Sequence, residues 1–389
     1  MTPHGYVPRR EPTRSPSRPT HPRDRAVTGA VRLTDEVIPA SGVEALVEAL
    51  RQLRRDSRDP VATTHLVRAL PDAFPLPGSG STRMLWEALA SVAAVDLTAA
   101  RTLEPHLDAV AILAEARSGG HALPSPVPDD ASWGVFAAEG PGVRLEAHDG
   151  PGAAAGTVRL HGTKPWCSLA GSLSHALVTA WDSDTTRRLY AVRLGPSNGV
   201  TVQPSAWFAR GLTAVPSGPV DFDGAEAVPV GPTGWYLERP GFAWGGMGVA
   251  AIWYGGAVGV ARRLLRGGRE PDQIAQMHVG AVDAGLWAAR TCLDDAAARV
   301  DDGRATGEEG ALLALRVRHV VARTAESVLE RVGHATGPAP LALDDDHAAR
   351  VADLQLYLRQ EHAERDEAAL GRHVLDRHVL DGGTDGPPW

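Results

Sequence analysis

The segment Pro240–Ala261 runs for 22 residues without a formal charge, and any fold this chain adopts has to bury it. Its length would suffice for a membrane span. It also carries Gly255-x-x-x-Gly259, a spacing that lets helices pack closely in lipid. Its content argues otherwise. Seven of its residues are glycine, Leu, Ile and Phe are few, and no second span accompanies it. A helix that is apolar all round is what the centre of a large helical bundle needs. The expectation is a buried core helix and no membrane insertion.

The rest of the chain sorts into three patterns around that helix. From Val43 to Arg117 apolar residues recur at helical spacing, most clearly over Thr82–Arg117 with Leu85, Leu89, Val92, then Leu103, Leu107 and Val110. Thr82 is the expected cap, Gly119-Gly120 the expected stop, and Pro105 the expected break between two helices. From Pro124 to Gly234 short alternating runs lie between Gly and Pro, as in Thr157–Leu160, Ala176–Ala180, Leu189–Val192 and Pro219–Phe222. That spacing predicts a sandwich or barrel, with Asp149-Gly150, Asn198-Gly199 and Asp223-Gly224 as turns. After the uncharged helix come Gln273–Asp301, Ala311–Val332 and Asp346–Arg377, which read as the remaining members of a four-helix bundle. The fold class expected is therefore α+β and multidomain. It comprises a tail (1–30), an N-terminal helical domain (31–123), a central β-barrel or sandwich (124–239), a C-terminal four-helix bundle (240–381) and a second tail (382–389).

Composition narrows the function. The net charge of −8 speaks against a broad nucleic-acid surface. Two cysteines exclude a disulfide framework and suit a reducing, cytoplasmic setting. Residues 1–28 hold six Pro and six Arg with almost no large apolar residues, which predicts a disordered tail and not a secretory signal. Alternating βα units, a G-x-G-x-x-G after a strand, a P-loop and a G-x-S-x-G elbow are all lacking. The 15 histidines show no ligand spacing, so no metal site is expected.

One segment stands out: Leu160-His161-Gly162-Thr163-Lys164-Pro165-Trp166-Cys167-Ser168, which contains the only lysine of the chain. On a regular strand Trp166 and Ser168 point to the same side. An aromatic plane with a hydroxyl and backbone N–H groups nearby can hold a flat heteroaromatic ring. It is also what a barrel strand with a core tryptophan looks like.

This segment resembles the G-x-K-x-W region of the acyl-CoA dehydrogenase family. Other pieces follow in the family's order. Trp133–Gly140 resembles its C-x-T-E-P segment, Ala251–Leu265 its first long C-terminal helix, Ala296–Gly303 the end of the second, and Val332–Gly337 its glycine-rich turn. The resemblance covers roughly residues 80–375. It implies FAD as cofactor, with Trp166 beside the flavin ring, Ser168 near its N5, Ala138 where the family commonly has a flavin-bonding Thr, and Gly333 in the turn at the diphosphate. It also implies Glu361, eight residues after Asp353, as the base that removes the α-proton of an acyl thioester. Hydride then passes from the β-carbon to the flavin, whose chemistry the protein only orients.

The chain departs from the pattern. Gly-Ser-Asp does not follow Glu139, and the Arg-x-x-Phe-Gly segment that reaches the neighbouring subunit's FAD is missing. Arg269-Glu270-Pro271 lies in a shortened connection, and Arg262, Arg263, Arg266 and Arg269 are the basic residues that remain there. The expected activity is FAD-dependent desaturation of an acyl thioester, acyl-CoA in the first instance, with an electron-transfer partner. Two alternatives stay open: a flavin monooxygenase on the same scaffold, and a degenerate member acting as a partner or binding subunit. A homodimer or homotetramer packed through the bundle is expected.

Overall fold

The computed structural model describes residues 29–34, 41–56, 59–121, 123, 128, 130–149, 156–204, 207–266 and 271–380. The expected tails, the Asp149-Gly150 turn and the Arg269-Glu270 connection fall wholly or partly outside these residues. The helices that precede the sheet are α1 (Ser41–Asp56), α2 (His65–Ala69), α3 (Thr82–Val95) and α4 (Leu97–Ser118). Seven strands follow: β1 (Trp133–Phe136), β2 (Leu145–His148), β3 (Val158–Ser168), β4 (His175–Trp181), β5 (Arg187–Arg193), β6 (Val200–Val202) and β7 (Ser217–Val230). The chain then returns to helices: α5 (Trp235–Glu238), α6 (Pro240–Ala261), α7 (Gln273–Asp301), α8 (Gly307–Thr336), α9 (Ala339–Leu343), α10 (Asp345–Tyr357) and α11 (Glu364–Leu380).

The break in the 82–118 run falls at Asp96, not at Pro105, which sits inside α4. Asp96 adopts extended backbone and its side chain accepts from the Ala99 N–H at 3.1 Å, so a capping aspartate ends one helix and starts the next. Thr82 does not cap α3. Its hydroxyl instead donates to Asp301 at the end of α7 at 2.6 Å, and the same carboxylate accepts the Thr82 and Gly80 N–H groups.

The strands close into a small barrel. β4 pairs with β5, β5 with β7, β7 with β3, β3 with β2, and β2 returns to β4 through the single pair Glu146–Trp181. β1 adds parallel to β4, and β6 adds to β7. Gly199 takes the left-handed conformation (φ 66°) expected of a turn, whereas Asp223-Gly224 lies within β7, where Gly224 (φ 67°) sits opposite an irregularity of β3.

α6 is buried along most of its length among α3, α4, α7 and α8. A Cβ at Gly255 would fall on the carbonyl oxygen of Ala90, and one at Gly259 would come within 2.9 Å of the Ala94 carbonyl. The glycine spacing seen in the sequence thus brings α6 backbone to backbone with α3. No helix among the described residues is long and apolar enough to cross a membrane. The fourth long helix expected over Asp346–Arg377 is interrupted: α10 ends at Tyr357, a short 3-10 turn covers Leu358–Gln360, and α11 starts only at Glu364.

Sheet and helices join through α4. His106 on α4 accepts the Trp133 N–H through Nδ1 at 3.3 Å. Burial, with Arg68 and His65 nearby, pulls its pKa down to about 4, so the imidazole is a neutral acceptor near pH 7.

Candidate functional site

β3 carries a bulge between Lys164 and Cys167, where two of its residues face one of β7. The simple alternation expected along Lys164–Ser168 is broken there. Lys164 turns inward and is 1% exposed. Trp166 is left at φ 59°, a conformation unfavourable for a bulky residue, with its ring 63% exposed. Cys167 is buried, which pushes its thiol pKa up to about 12 and leaves it unreactive. Ser168 is half-buried and faces α4: Arg101 donates to its hydroxyl at 3.0 Å, and Ser217 lies 2.7 Å away.

The lone lysine is structural. Its Nζ donates to Glu139 at 2.6 Å and to the Thr179 hydroxyl at 2.9 Å. Glu139 also accepts from Arg187 at 3.0 Å and from the Trp181 indole at 3.4 Å. Partial burial opposes ionisation of this carboxyl, but the hydrogen bonds from Lys164, Arg187 and Trp181 outweigh it and hold its pKa below the ordinary value. Ala138 is exposed beside it, and Gly140 lies against Pro165. The structure therefore brings Ala138, Trp166 and the 138–140 backbone to one edge of the barrel, with Ser168 a short way along β3.

Gly333 is not part of that group. It lies within α8, ten residues past Arg323, which is about 15 Å along a helix. The residue that ends α8 is Gly337, at φ 64°.

Glu361 lies in the break between α10 and α11 in extended backbone, not on a solvated helix. Its side chain is 1% exposed, 3.5 Å from Arg323 and 3.8 Å from His319, and its Oε1 accepts no hydrogen bond. The carboxylate is held against α8 and does not line the adjacent cavity.

That cavity, of about 530 Å³, opens between α4, α5, α6, α8 and the start of α11. Its walls mix apolar groups such as Leu237, Phe242, Val249 and Leu315 with the carboxyls of Glu104 and Asp108. Neither carboxyl was legible as functional in the sequence, where both sit within a helical run. Burial raises the Glu104 pKa to about 7 against the opposing pull of Arg101, with Asp108 adding to the rise. Burial also raises that of Asp108, although Arg239 pairs with it at 3.4 Å. Arg101 links the regions: it bonds Ser168, lies 3.7 Å from Glu104, and sits 5.5 Å over the Tyr357 ring. Arg318 braces the 358–363 break by donating to the Gln360 carbonyl at 2.9 Å and to the Gly246 carbonyl at 3.0 Å. Among the described residues no group of three or more His, Cys, Asp or Glu is placed to hold a metal.

The sequence matches no family model and no curated relative. Solved structures do match. FMN-bound TdsC from Paenibacillus sp. A11-2 is 17% identical, with 86% of this chain and 97% of that chain covered at a TM-score of 0.69. KijD3 in complex with FMN and a dTDP-linked amino keto sugar is 20% identical, over 84% and 90%, at 0.65. Butyryl-CoA dehydrogenase from Megasphaera elsdenii is 15% identical, over 76% and 82%, at 0.63. At these identities the likeness is one of fold, and it extends over most of each chain: the protein has the acyl-CoA dehydrogenase-like fold.

Proposed function

We propose that the protein is a flavin-dependent monooxygenase that acts on a small organic molecule held in the 530 Å³ cavity. The observation that carries this reading is the division of labour between two carboxyls. Glu361, where an acyl-CoA dehydrogenase keeps its base, is packed against Arg323 and His319. Among the carboxyls that line the cavity is Glu104, whose pKa of about 7 suits it to hold or release a proton near neutrality.

The residues at the barrel edge fit a flavin ring. Trp166 is held out at positive φ with no aromatic partner among the described residues, and Ser168 supplies a hydroxyl nearby. They fit a diphosphate and adenosine less well: Arg-x-x-Phe-Gly is lacking, and Gly333 is helical instead of forming a turn. FMN is accordingly the flavin favoured over FAD. Reduced flavin supplies the two electrons with which one atom of dioxygen enters the substrate and the other leaves as water. The chain's own residues hold the walls in place. Arg101 ties the Ser168 strand to α4 and lies 3.7 Å from Glu104, and Arg318 holds the 358–363 break. Support also comes from the neighbours, among them TdsC, described as a dibenzothiophene monooxygenase, and KijD3 with FMN bound.

A second reading is kept because of one observation: the buried Oε1 of Glu361 lacks a hydrogen-bond partner, as a carboxylate awaiting a substrate proton would. In that reading the enzyme desaturates an acyl thioester, with Glu361 as base. FMN and FAD titrations followed by tryptophan fluorescence test flavin uptake, and saturable quenching that Trp166→Ala weakens is expected. Reduced FMN with dioxygen and indole as probe should then give an oxygenated product. Anaerobic bleaching of bound flavin by acyl thioesters, lost in Glu361→Gln, would establish the second reading instead.

A further inference from the structure

We infer that the cavity between α4, α6 and α8 selects a compact organic amine, an apolar ring body carrying a basic nitrogen, and turns away carboxylated or phosphorylated molecules. This rests on the reading of that cavity as the substrate site. It goes further by deriving the substrate's charge from the walls.

Most donors of the cations lining the cavity are already engaged: among these only the buried Nε of Arg239 has no partner, and His362 lies 3.4 Å from Asp366. Arg239 donates to Glu115 at 2.8 Å and to Asp108 at 3.4 Å, and only 2% of its side chain is exposed. Arg318 gives its donors to the Gly246 and Gln360 carbonyls and lies 4.6 Å from the Trp253 ring centre. Apart from the buried Arg239 Nε, an entering phosphate or carboxylate would have to break these bonds to gain an arginine donor, while facing Glu104, Asp108 and Asp366. Like charges brought together in a site poor in water oppose binding strongly.

The carboxyls are differently placed. Glu104 has Arg101 only at 3.7 Å, beyond hydrogen-bond reach, and 17% of its side chain remains exposed while it lines the cavity. The Tyr357 hydroxyl is its neighbouring donor, and no cation bonds it directly, so a cationic ligand has a place to pair. Phe242, stacked edge-on against Tyr236 at 5.5 Å, adds an aromatic face, which favours a cation with an apolar body. The volume of about 530 Å³ falls in the range of pockets for small ligands. Glu104 titrates near neutrality among Arg101 and Asp108 on its own helix, Arg318 on α8 and Tyr357 on α10. A bound ammonium favours its ionised form, so amine affinity should rise with pH until the ligand itself deprotonates.

The test is a calorimetric titration of the full chain, without added flavin, at pH 8. The probes are naphthylmethylamine, naphthylmethanol and naphthoate, which share a ring and differ in charge. The amine should bind about tenfold more tightly than the alcohol, and naphthoate should show no saturable binding. Glu104→Gln, nearly isosteric, should bring the amine to within about threefold of the alcohol and leave the alcohol unchanged. Naphthoate or an acyl-CoA binding as tightly as the amine overturns the inference. So does an amine preference that survives Glu104→Gln, or no binding by any probe. The unmodified protein alone decides the first and last of these, whatever the variant does to folding. Because flavin is absent from the titration, failure of the flavin and oxygen assays would remove the monooxygenase reading while leaving the ligand series intact, and the reverse also holds.

Discussion

Glu139 on the barrel and Glu104 between the helices are both carboxyls beside a cation, yet their surroundings drive them in opposite directions. Glu139 receives three donors, Lys164, Arg187 and the Trp181 indole, and is held below its ordinary pKa. Glu104 has a guanidinium nearby but out of bonding range, and burial carries it up to about 7. Proximity of opposite charge therefore does not settle the state of a carboxyl: burial comes first, and the charge-assisted donors that reach it decide how far burial is offset. Glu139 is partly exposed and bonded by two cations, whereas Glu104 is deeply placed and bonded by none.

Four substitutions test this contrast. The largest effect is expected for Lys164→Met. It leaves Glu139 without its shortest donor and should cost about 3 kcal/mol in denaturant unfolding. A loss under about 1 kcal/mol would mean that Arg187 and Trp181 suffice on their own. Glu104→Gln should do the reverse. Because the folded pKa of Glu104 is raised from 4.5 to about 7, its favourable contribution is full below 4.5 and is lost as pH rises through about 7. The variant should therefore gain roughly 1–3 kcal/mol relative to the parent on going from pH 5 to pH 8, read from paired unfolding curves. A gap that does not change with pH would contradict the raised pKa.

Glu361→Gln comes next. Its partners Arg323 and His319 are partly exposed, so about 1 kcal/mol of stability should go. Under the monooxygenase reading, product formation with reduced flavin should stay within about twofold, since general-base catalysis, typically worth 10²–10⁴, is not asked of this residue. A collapse of that rate would transfer the chemistry to Glu361. The smallest effect on stability belongs to Trp166→Ala, within about 0.5 kcal/mol because the ring is exposed. Its flavin affinity should nonetheless fall about tenfold, in line with the loss of one aromatic stacking partner. Unchanged quenching on titration would place the flavin elsewhere.

Much of the fold was legible because periodicity is a local property. The limits of α7, Gln273–Asp301, follow from its apolar spacing, and β3, β4, β5 and β7 fall where alternating runs stood, while the short β1, β2 and β6 were not singled out. Pro105 misled because its cost inside a helix, about 3 kcal/mol, is borne by a helix whose buried face packs on its neighbours on both sides of it. The signal at Asp96, an aspartate before Leu-Thr-Ala-Ala, was present and is the better marker. The site was less legible. Trp166 and Ser168 were visible as types, but the bulge that separates them depends on β7, some fifty residues further on. Glu104 gave no sign, since its environment is assembled from Arg318 and Tyr357, more than two hundred residues away. Glu361 was read from the family resemblance, by its spacing from Asp353, and neither tells which way a carboxylate turns.

The contact of Gly255 and Gly259 with the carbonyls of Ala90 and Ala94 has a mechanical side. With no side chain between them, α3 and α6 are spaced by backbone alone, so even one added methyl at either position must push the two helices apart. The cavity is lined by the other end of the same helix, from Pro240 to Val249, so the seam that admits no growth and the wall that faces the cavity share one rigid rod.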